Sequence, residues 1–279
     1  MHYKAKKKFG QNFLKDGYFL RQIVQAIPNI SSQLIEIGIG LGDLTDELLK
    51  IHNLIAYEVD EDLCSLLIKR HSRLLETQKL KLVLCDVLEL KDSTGWLHPE
   101  PYFLVSNLTY YIATLIILKV LRDEKCEGFV VMTQKEVAEK FCARVGEKEF
   151  CALSVIAQSV GEIEFLFEVP ASAFEPAPKV TSAVFRMIKK PNHPRVEEIE
   201  KLETLLKAAF SAPRKKLAKN LVRFYPKQEI EEIFSKLGLQ ENLRPHEVDT
   251  TLYHQILENK EKNGKQRTKG SSSPKLRTK

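Results

Sequence analysis

Asn107 stands at the end of residues 102–106, an apolar run that predicts a buried strand, and is followed by Leu108-Thr109-Tyr110-Tyr111. These types at this spacing suit one kind of chemistry. The amide oxygen of Asn107 and the backbone carbonyl of Leu108 can both accept hydrogen bonds from a planar exocyclic amine, and the tyrosine rings can stack on the base that carries it. Two acceptors on the amine hydrogens favour pyramidalisation and turn the nitrogen lone pair outward as a nucleophile. An Asn at a strand end serves equally well as the N-cap of the next helix.

Upstream, Glu36-x-Gly38-x-Gly40-x-Gly42 follows a strand pattern at 34–37 and opens a helical pattern at 43–50. Glycines at a strand–helix turn let the backbone approach a ligand closely. Glu58 ends the next strand pattern, where an acid can bond ribose hydroxyls. Asp86 ends the third, where a carboxylate can accept from an adenine amine. Read singly, the glycines make any tight turn, Glu58 a solvated strand end and Asp86 a cap on the following turn. Together they mark consecutive strand ends, the edge at which open α/β sheets bind ligands. The dinucleotide fingerprint G-x-G-x-x-G needs glycine where this chain has Asp43. The spacing resembles instead the S-adenosylmethionine loop of class I methyltransferases.

Bringing those ends together requires alternating strands and helices. Strand patterns at 34–37, 54–57, 80–85, 102–106 and 128–132 alternate with helical ones at 43–50 and 60–70, an apolar one that follows the fourth strand and runs through Leu121, and one at 134–144, and 152–160 adds another helix. Residues 162–169 and 181–188 read as two last strands that form an antiparallel edge. The expected fold class is α/β, a Rossmann-like, mostly parallel sheet with helices on both faces. Lys189-Lys190-Pro191-Asn192-His193-Pro194 breaks the pattern. Beyond it only helical patterns follow, at 196–210, 214–224, 227–237 and 246–258, so a small all-helical C-terminal domain is expected. The domains are thus 1–190, 191–258 and a disordered basic tail, 259–279. On a helix over 214–224, Lys215, Lys219 and Arg223 recur at i, i+4 and i+8, one basic stripe that contacts RNA phosphates or lies solvated.

The net charge of +6 is unevenly placed. Residues 259–279 hold eight Lys or Arg against one Glu, and residues 1–8 hold four Lys and no acid, so an acidic body lies between basic ends. Such ends are solvated arms or contacts for nucleic acid, and one arm can be both. The five cysteines are scattered, with no Cys-x-x-Cys, and no two histidines stand at i, i+4. A disulfide frame and a metal site are not expected, and a reducing cytoplasm is. No apolar run approaches the roughly 18 residues of a membrane span. Motif residues begin at Phe9, which argues against a targeting segment.

From Lys6 to about Glu258 the chain resembles the small-subunit ribosomal RNA adenine dimethyltransferases. The resemblance is carried by Lys8-Phe9-Gly10-Gln11-Asn12-Phe13-Leu14, by Glu36-Ile37-Gly38-x-Gly40, by Asn107-Leu108-x-Tyr110, by Gln134-Lys135-Glu136-Val137-Ala138 and Leu153-Ser154-Val155, and by Phe174-Glu175-Pro176-Ala177-Pro178-Lys179-Val180-x-Ser182. Ala209-Phe210, Arg214-Lys215-Lys216-Leu217 and Asn220-Leu221 resemble the basic helix of the family's C-terminal domain. The resemblance implies S-adenosylmethionine as cofactor, contacted by Asn12, Leu14, Gly38, Glu58, Asp86 and Asn107. It implies a target-base site of Asn107, the Leu108 carbonyl, Tyr110 and Phe174. The partner it implies is small-subunit rRNA in a ribosomal assembly intermediate, bound by a monomer. Thr109 stands where the family has Pro, which frees φ and adds a backbone donor. Phe150-Cys151 stands where it has Tyr-Gly. The resistance methyltransferases of large-subunit RNA share most of these motifs, and Arg214-Lys215-Lys216 favours the small-subunit branch. A non-catalytic assembly or transcription factor with the same fold is the alternative of another class.

Overall fold

The computed structural model describes residues 3, 5–6, 9–91 and 94–270, the side chains of 264–270 excepted. The chain divides into two units, Met1–Cys142 with Val160–His193, and Ala143–Ser159 with Pro194–Lys279.

In the first unit the apolar runs become strands. These are β1 (Phe13–Leu14), β2 (Gln33–Ile37), β3 (Leu54–Glu58), β4 (Leu80–Leu84), β5 (Tyr102–Asn107), β6 (Cys126–Gln134), β7 (Gly161–Val169), β8 (Phe174–Glu175) and β9 (Ser182–Lys189). Seven of them form one sheet in the order β4-β3-β2-β5-β6-β9-β7. Neighbours from β4 to β6 are parallel, and β9 is antiparallel to both β6 and β7. The helices α1 (Gly17–Gln25), α2 (Asp43–Leu48), α3 (Glu61–Arg70), α4 (Ser72–Glu76), α5 (Ala113–Arg122) and α6 (Lys135–Cys142) connect them. This is the Rossmann-like arrangement expected. The central strands β2 and β5 are buried on both faces, which is why they read as continuous apolar runs.

The register matters most for function. Ile37 pairs with Tyr57 and Glu58 with Leu84, while Glu36 pairs with Val105. The ends of β2, β3, β4 and β5 therefore share one edge, and each carries a residue singled out above. A separate two-stranded pair, β1 with β8, sets Leu14 against Phe174 and is not signalled by any local pattern.

The second unit is helical. It holds most of α7 (Ala152–Val160), with α8 (Val196–Ala209), α9 (Leu217–Leu221), α10 (Lys227–Leu237) and α11 (Thr250–Gly270). Leu202, Leu206, Leu217, Leu221, Ile233 and Tyr253 are buried in it. Residues 143–159, expected with the sheet, group here because α7 is bonded to α11. Ser159 Oγ lies 2.8 Å from His254 Nε2, and Thr250 donates to Gln158 Oε1 at 2.8 Å. Phe150 is buried, and the Cys151 N–H donates to Ser154 Oγ at 3.0 Å at the start of α7.

Two expectations are corrected. The helix over 214–224 is only Leu217–Leu221. Lys216 is extended (φ −59°, ψ 138°), and the Leu217 N–H donates to the Leu243 carbonyl at 2.7 Å instead of joining a helix ladder. Asn220 Nδ2, bonded to the carbonyls of Ala209 and Ala212, holds the preceding turn in place. The helix expected to end at 258 continues to Gly270, so residues 259–270 are helical. Buried Asn259 donates to the Gln255 carbonyl, Glu261 pairs with Lys201 and the Lys260 ammonium lies over the Tyr225 ring. Residues 271–279 of the expected tail lie outside the described residues.

Candidate active site

The shared strand edge opens into a cleft. Its wall includes Asn12, Leu14, Glu36, Gly38, Glu58, Asp86, Asn107, Leu108 and Tyr111, all from the first unit. All six residues expected to hold a cofactor thus stand in one wall.

The glycine turn builds the floor. The Gly38 N–H donates to the Tyr57 carbonyl at 2.8 Å, which ties the loop to β3. Gly38 has φ +74°, a left-handed conformation that glycine adopts without strain, and the place a Cβ would take is empty for 4 Å around. A cradle is left there for a ligand. At Gly40 (φ +59°) a Cβ would meet the Phe13 ring at 2.9 Å, so β1 lies directly on the loop.

Glu58 is buried at the end of β3. One carboxylate oxygen accepts the Gly40 N–H at 3.1 Å, and the other accepts the N–H groups of Val59 (2.9 Å) and Asp60 (3.0 Å). Burial raises its pKa, and these backbone donors oppose the rise. Three of its roughly four lone-pair sites are thus taken, and the remaining one, on the oxygen that bonds Gly40, is open to a ribose hydroxyl. Asp86 is exposed and caps the 3₁₀ turn Val87–Glu89, accepting the Leu88 N–H at 2.9 Å. Capping and ligand contact are compatible, since its second oxygen takes no donor among the described residues.

Asn107 and Leu108 meet the cleft from β5. Asn107 Nδ2 donates to the Asn12 carbonyl at 3.3 Å, leaving Oδ1 as the open end of the amide. The Leu108 N–H donates to the Met132 carbonyl at 3.0 Å, and no donor among the described residues reaches the Leu108 carbonyl. Asn107 is not the N-cap of α5. That position is Ile112, and the Thr109 carbonyl accepts the N–H groups of Ile112 and Ala113.

The two aromatic residues expected at the base lie outside the cleft wall. Tyr110 is half-buried, with its hydroxyl 2.6 Å from Ser182 Oγ. Burial pushes that hydroxyl's pKa up. Phe174, on β8 opposite Leu14, is 6% exposed and packs in the core with Leu14, Leu20 and Ile39. The Tyr110–Ser182 bond joins the two aromatic motifs, since Ser182 closes the motif that Phe174 opens.

Sequence reading missed several supporting residues. Glu36 is 1% exposed and accepts from Thr45 Oγ1 at 2.7 Å. Burial pushes its carboxyl up to about 8. A lone acid inside the apolar run Leu34-Ile35-Glu36-Ile37 was its signal. Ser106 Oγ donates to the Ile37 carbonyl at 2.5 Å, joining the strand that ends in Asn107 to the strand that precedes Gly38. Asp60 is 1% exposed and holds the N-terminal arm. It accepts from Lys6 Nζ (2.6 Å), Tyr3 Oη (2.6 Å) and Gln11 Nε2 (3.2 Å). Burial alone would raise the Asp60 carboxyl, but these donors and the Asp62 N–H hold it down at about 2. Nothing local in the sequence signals that latch. Among the described residues no group of three His, Cys, Asp or Glu could hold a metal ion. No helix among them is long and apolar enough to cross a membrane.

In the second unit Lys215, Lys219 and Arg223 are all exposed. With α9 reduced to five residues they do not form one helical stripe. A separate concavity lies close by in the sequence, lined by Arg214, Lys216, Gln240, Asn242, Leu243, Arg244 and Glu247.

Residues 2–262 match the model of the family described as ribosomal RNA adenine dimethylase. A protein of Helicobacter hepaticus named ribosomal RNA small subunit methyltransferase A is 54% identical, with 95% of each chain covered. One of the same name from Campylobacter jejuni is 48% identical over 91% of this chain and 94% of its own. Among solved structures, a dimethyladenosine transferase from Plasmodium falciparum superposes with a TM-score of 0.76 at 24% identity, covering 90% of this chain and 98% of that one. The 23S rRNA methyltransferase ErmE does so with a TM-score of 0.69, also at 24% identity, covering 88% and 98%. These two establish the fold.

Proposed function

The chain belongs to the ribosomal RNA adenine dimethylase family, and from that premise we propose that it methylates the exocyclic amines of two adjacent adenosines in a hairpin near the 3′ end of small-subunit rRNA, within an assembly intermediate. The enzyme is an S-adenosylmethionine-dependent methyltransferase. The observation that carries the reading is the Asn107 amide, tied by its nitrogen to Asn12 so that Oδ1 stands open beside the unclaimed Leu108 carbonyl.

The donor set fits the cofactor. The open cradle at Gly38 admits backbone approach, the acceptor site left on Glu58 suits a ribose hydroxyl and Asp86 suits an adenine amine. Asn12, Leu14 and Asn107 complete the wall. When bound, S-adenosylmethionine supplies an electrophilic methyl group on sulfur.

The protein's part is orientation and hydrogen bonding. An adenine amine is a poor nucleophile because its lone pair is conjugated with the ring. Asn107 Oδ1 and the Leu108 carbonyl accept its two hydrogens, favour a pyramidal nitrogen and aim the lone pair into the cleft. In-line transfer then depends mainly on positioning. The methylated amine is acidic enough to lose its proton without a strong base. The resemblance gives stacking on the extruded base to Tyr110 and Phe174, but both stand outside the cleft wall, Tyr110 bonded to Ser182 and Phe174 packed against Leu14, so this geometry does not carry that role.

The helical unit takes the RNA-binding role, with Lys215, Lys219 and Arg223 meeting phosphates. The cleft is complete within one chain, which supports a monomer as the working form, and the substrate assigns it to the cytoplasm.

Unmethylated small subunits, large subunits and duplex DNA, each incubated with tritiated cofactor, test this reading. Label in small subunits alone, with reverse-transcription stops at adjacent adenines, is the expected result. Label in large subunits or DNA and none in small subunits overturns it. Tight small-subunit binding with no label anywhere identifies a non-catalytic assembly factor.

A further inference from the structure

Tyr110 and Tyr111 are consecutive, yet the fold turns them in opposite directions. Tyr110 is half-buried with its hydroxyl held by Ser182. Tyr111 is 62% exposed and stands in the cleft wall with Asn107, Leu108 and Thr109. The motif that carries the resemblance, Asn107-Leu108-x-Tyr110, stops one residue short of it.

Its ring is positioned rather than loose. Tyr111 Cδ1 and Cε1 lie 3.4 and 3.5 Å from where a Cβ on Gly10 would stand. The N-terminal arm therefore comes against the ring at its one residue without a side chain, with Gly10 in a left-handed turn (φ +61°). A large flat ring left in water at the mouth of a cleft is the kind of surface on which nucleobases stack, whatever their identity.

We propose that Tyr111 is the stacking platform for the nucleobase next to the target adenine, and so a specificity-determining residue of this site. The inference rests on the reading of the cleft as the methylation site. Extruding one base leaves its neighbour without a stacking partner on that side. An exposed ring beside Asn107 replaces the missing partner and fixes the strand at the nucleotide adjoining the reacting one.

The experiment uses the full-length enzyme with unmethylated small subunits and compares Tyr111→Ala, Tyr111→Leu and Tyr111→Phe. Stacking on a single aromatic predicts a rise in KM for small subunits of roughly five- to a hundredfold in the Ala and Leu variants. The Phe variant should stay within about twofold of wild type, since the stack needs a face and not a hydroxyl. Cofactor affinity by calorimetry should not move. Unchanged KM in the Ala variant overturns the proposal. So does a parallel loss of cofactor affinity, which would make Tyr111 a contact of the cofactor rather than of the neighbouring base, and so does a Phe variant as poor as Ala. Asn107→Ala is run alongside. If it loses turnover while Tyr111→Ala behaves as wild type, only the platform falls. If it methylates normally, the site reading and the platform fall together.

Discussion

Asn107 donates its side-chain N–H to the carbonyl of Asn12 at 3.3 Å, across 95 residues of chain. An amide has one acceptor end and one donor end, and the chemistry proposed needs the acceptor end outward. This bond sets that orientation. It also makes the N-terminal arm part of the reacting centre, because the arm that supplies Asn12 is itself held by buried Asp60 through Tyr3, Lys6 and Gln11.

Glu58→Ala and Asp86→Ala should each weaken cofactor binding by about 1–3 kcal/mol, the usual loss for a hydrogen bond to a charged group. Calorimetry with S-adenosylmethionine measures this. Unchanged affinity in both variants removes them from the cofactor wall.

Thr109→Pro should fold and be as active as wild type or somewhat more so. The Thr109 carbonyl, which accepts from Ile112 and Ala113, is kept. Its N–H donates to no acceptor among the described residues, so proline removes no bond there. Circular dichroism and turnover numbers check this, and a misfolded, inactive protein would mean the loop has another shape.

The buried acid Glu36 makes a pH prediction. Its carboxyl is raised to about 8 by burial in the folded protein, against an ordinary value of 4.5. The unfolded chain therefore releases this proton first as pH rises. The group's stabilising contribution is full below about pH 4.5 and is lost as pH climbs towards 8, by up to about 1.4 kcal/mol per pH unit. Glu36→Gln should remove that slope. Urea unfolding of the cofactor-free protein at pH 5.5 and pH 8, wild type beside variant, reads it directly, and equal slopes would contradict the assignment.

Lys215→Glu, Lys219→Glu and Arg223→Glu together should weaken small-subunit binding and flatten its salt dependence, by about 0.7–0.9 in log–log slope for each phosphate no longer neutralised. Cofactor affinity should stay unchanged. A slope that does not move would show these side chains to be only solvated surface.

The sequence was most legible where chemistry sits at strand ends. Gly38, Glu58, Asp86 and Asn107 each close an apolar run, and parallel pairing brings such ends to one edge whatever the details. Bonds made across long stretches of chain were not legible. The Asp60 latch joins residues 49–57 positions apart through side chains with no local pattern. The basic period over 214–224 has helical spacing, but the Leu243 carbonyl takes the Leu217 N–H and the helix starts late. Composition marked 259–270 as disordered, whereas the interactions of Asn259, Lys260 and Glu261 extend α11 through it. Phe174 reads as an aromatic at a binding motif, and only the β1–β8 pairing shows it packed against Leu14.

Asn107 is proposed to act on the reacting amine and not on binding. Single-turnover methylation of unmethylated small subunits by Asn107→Ala, with its affinities for cofactor and subunit measured on the same preparation, tests it most directly. The expected rate is lower by at least about a hundredfold, as for the loss of a positioned transition-state hydrogen bond, with subunit affinity within a few-fold of wild type. A variant that methylates at the wild-type rate, or one whose lower activity is explained entirely by weaker subunit binding, would contradict it.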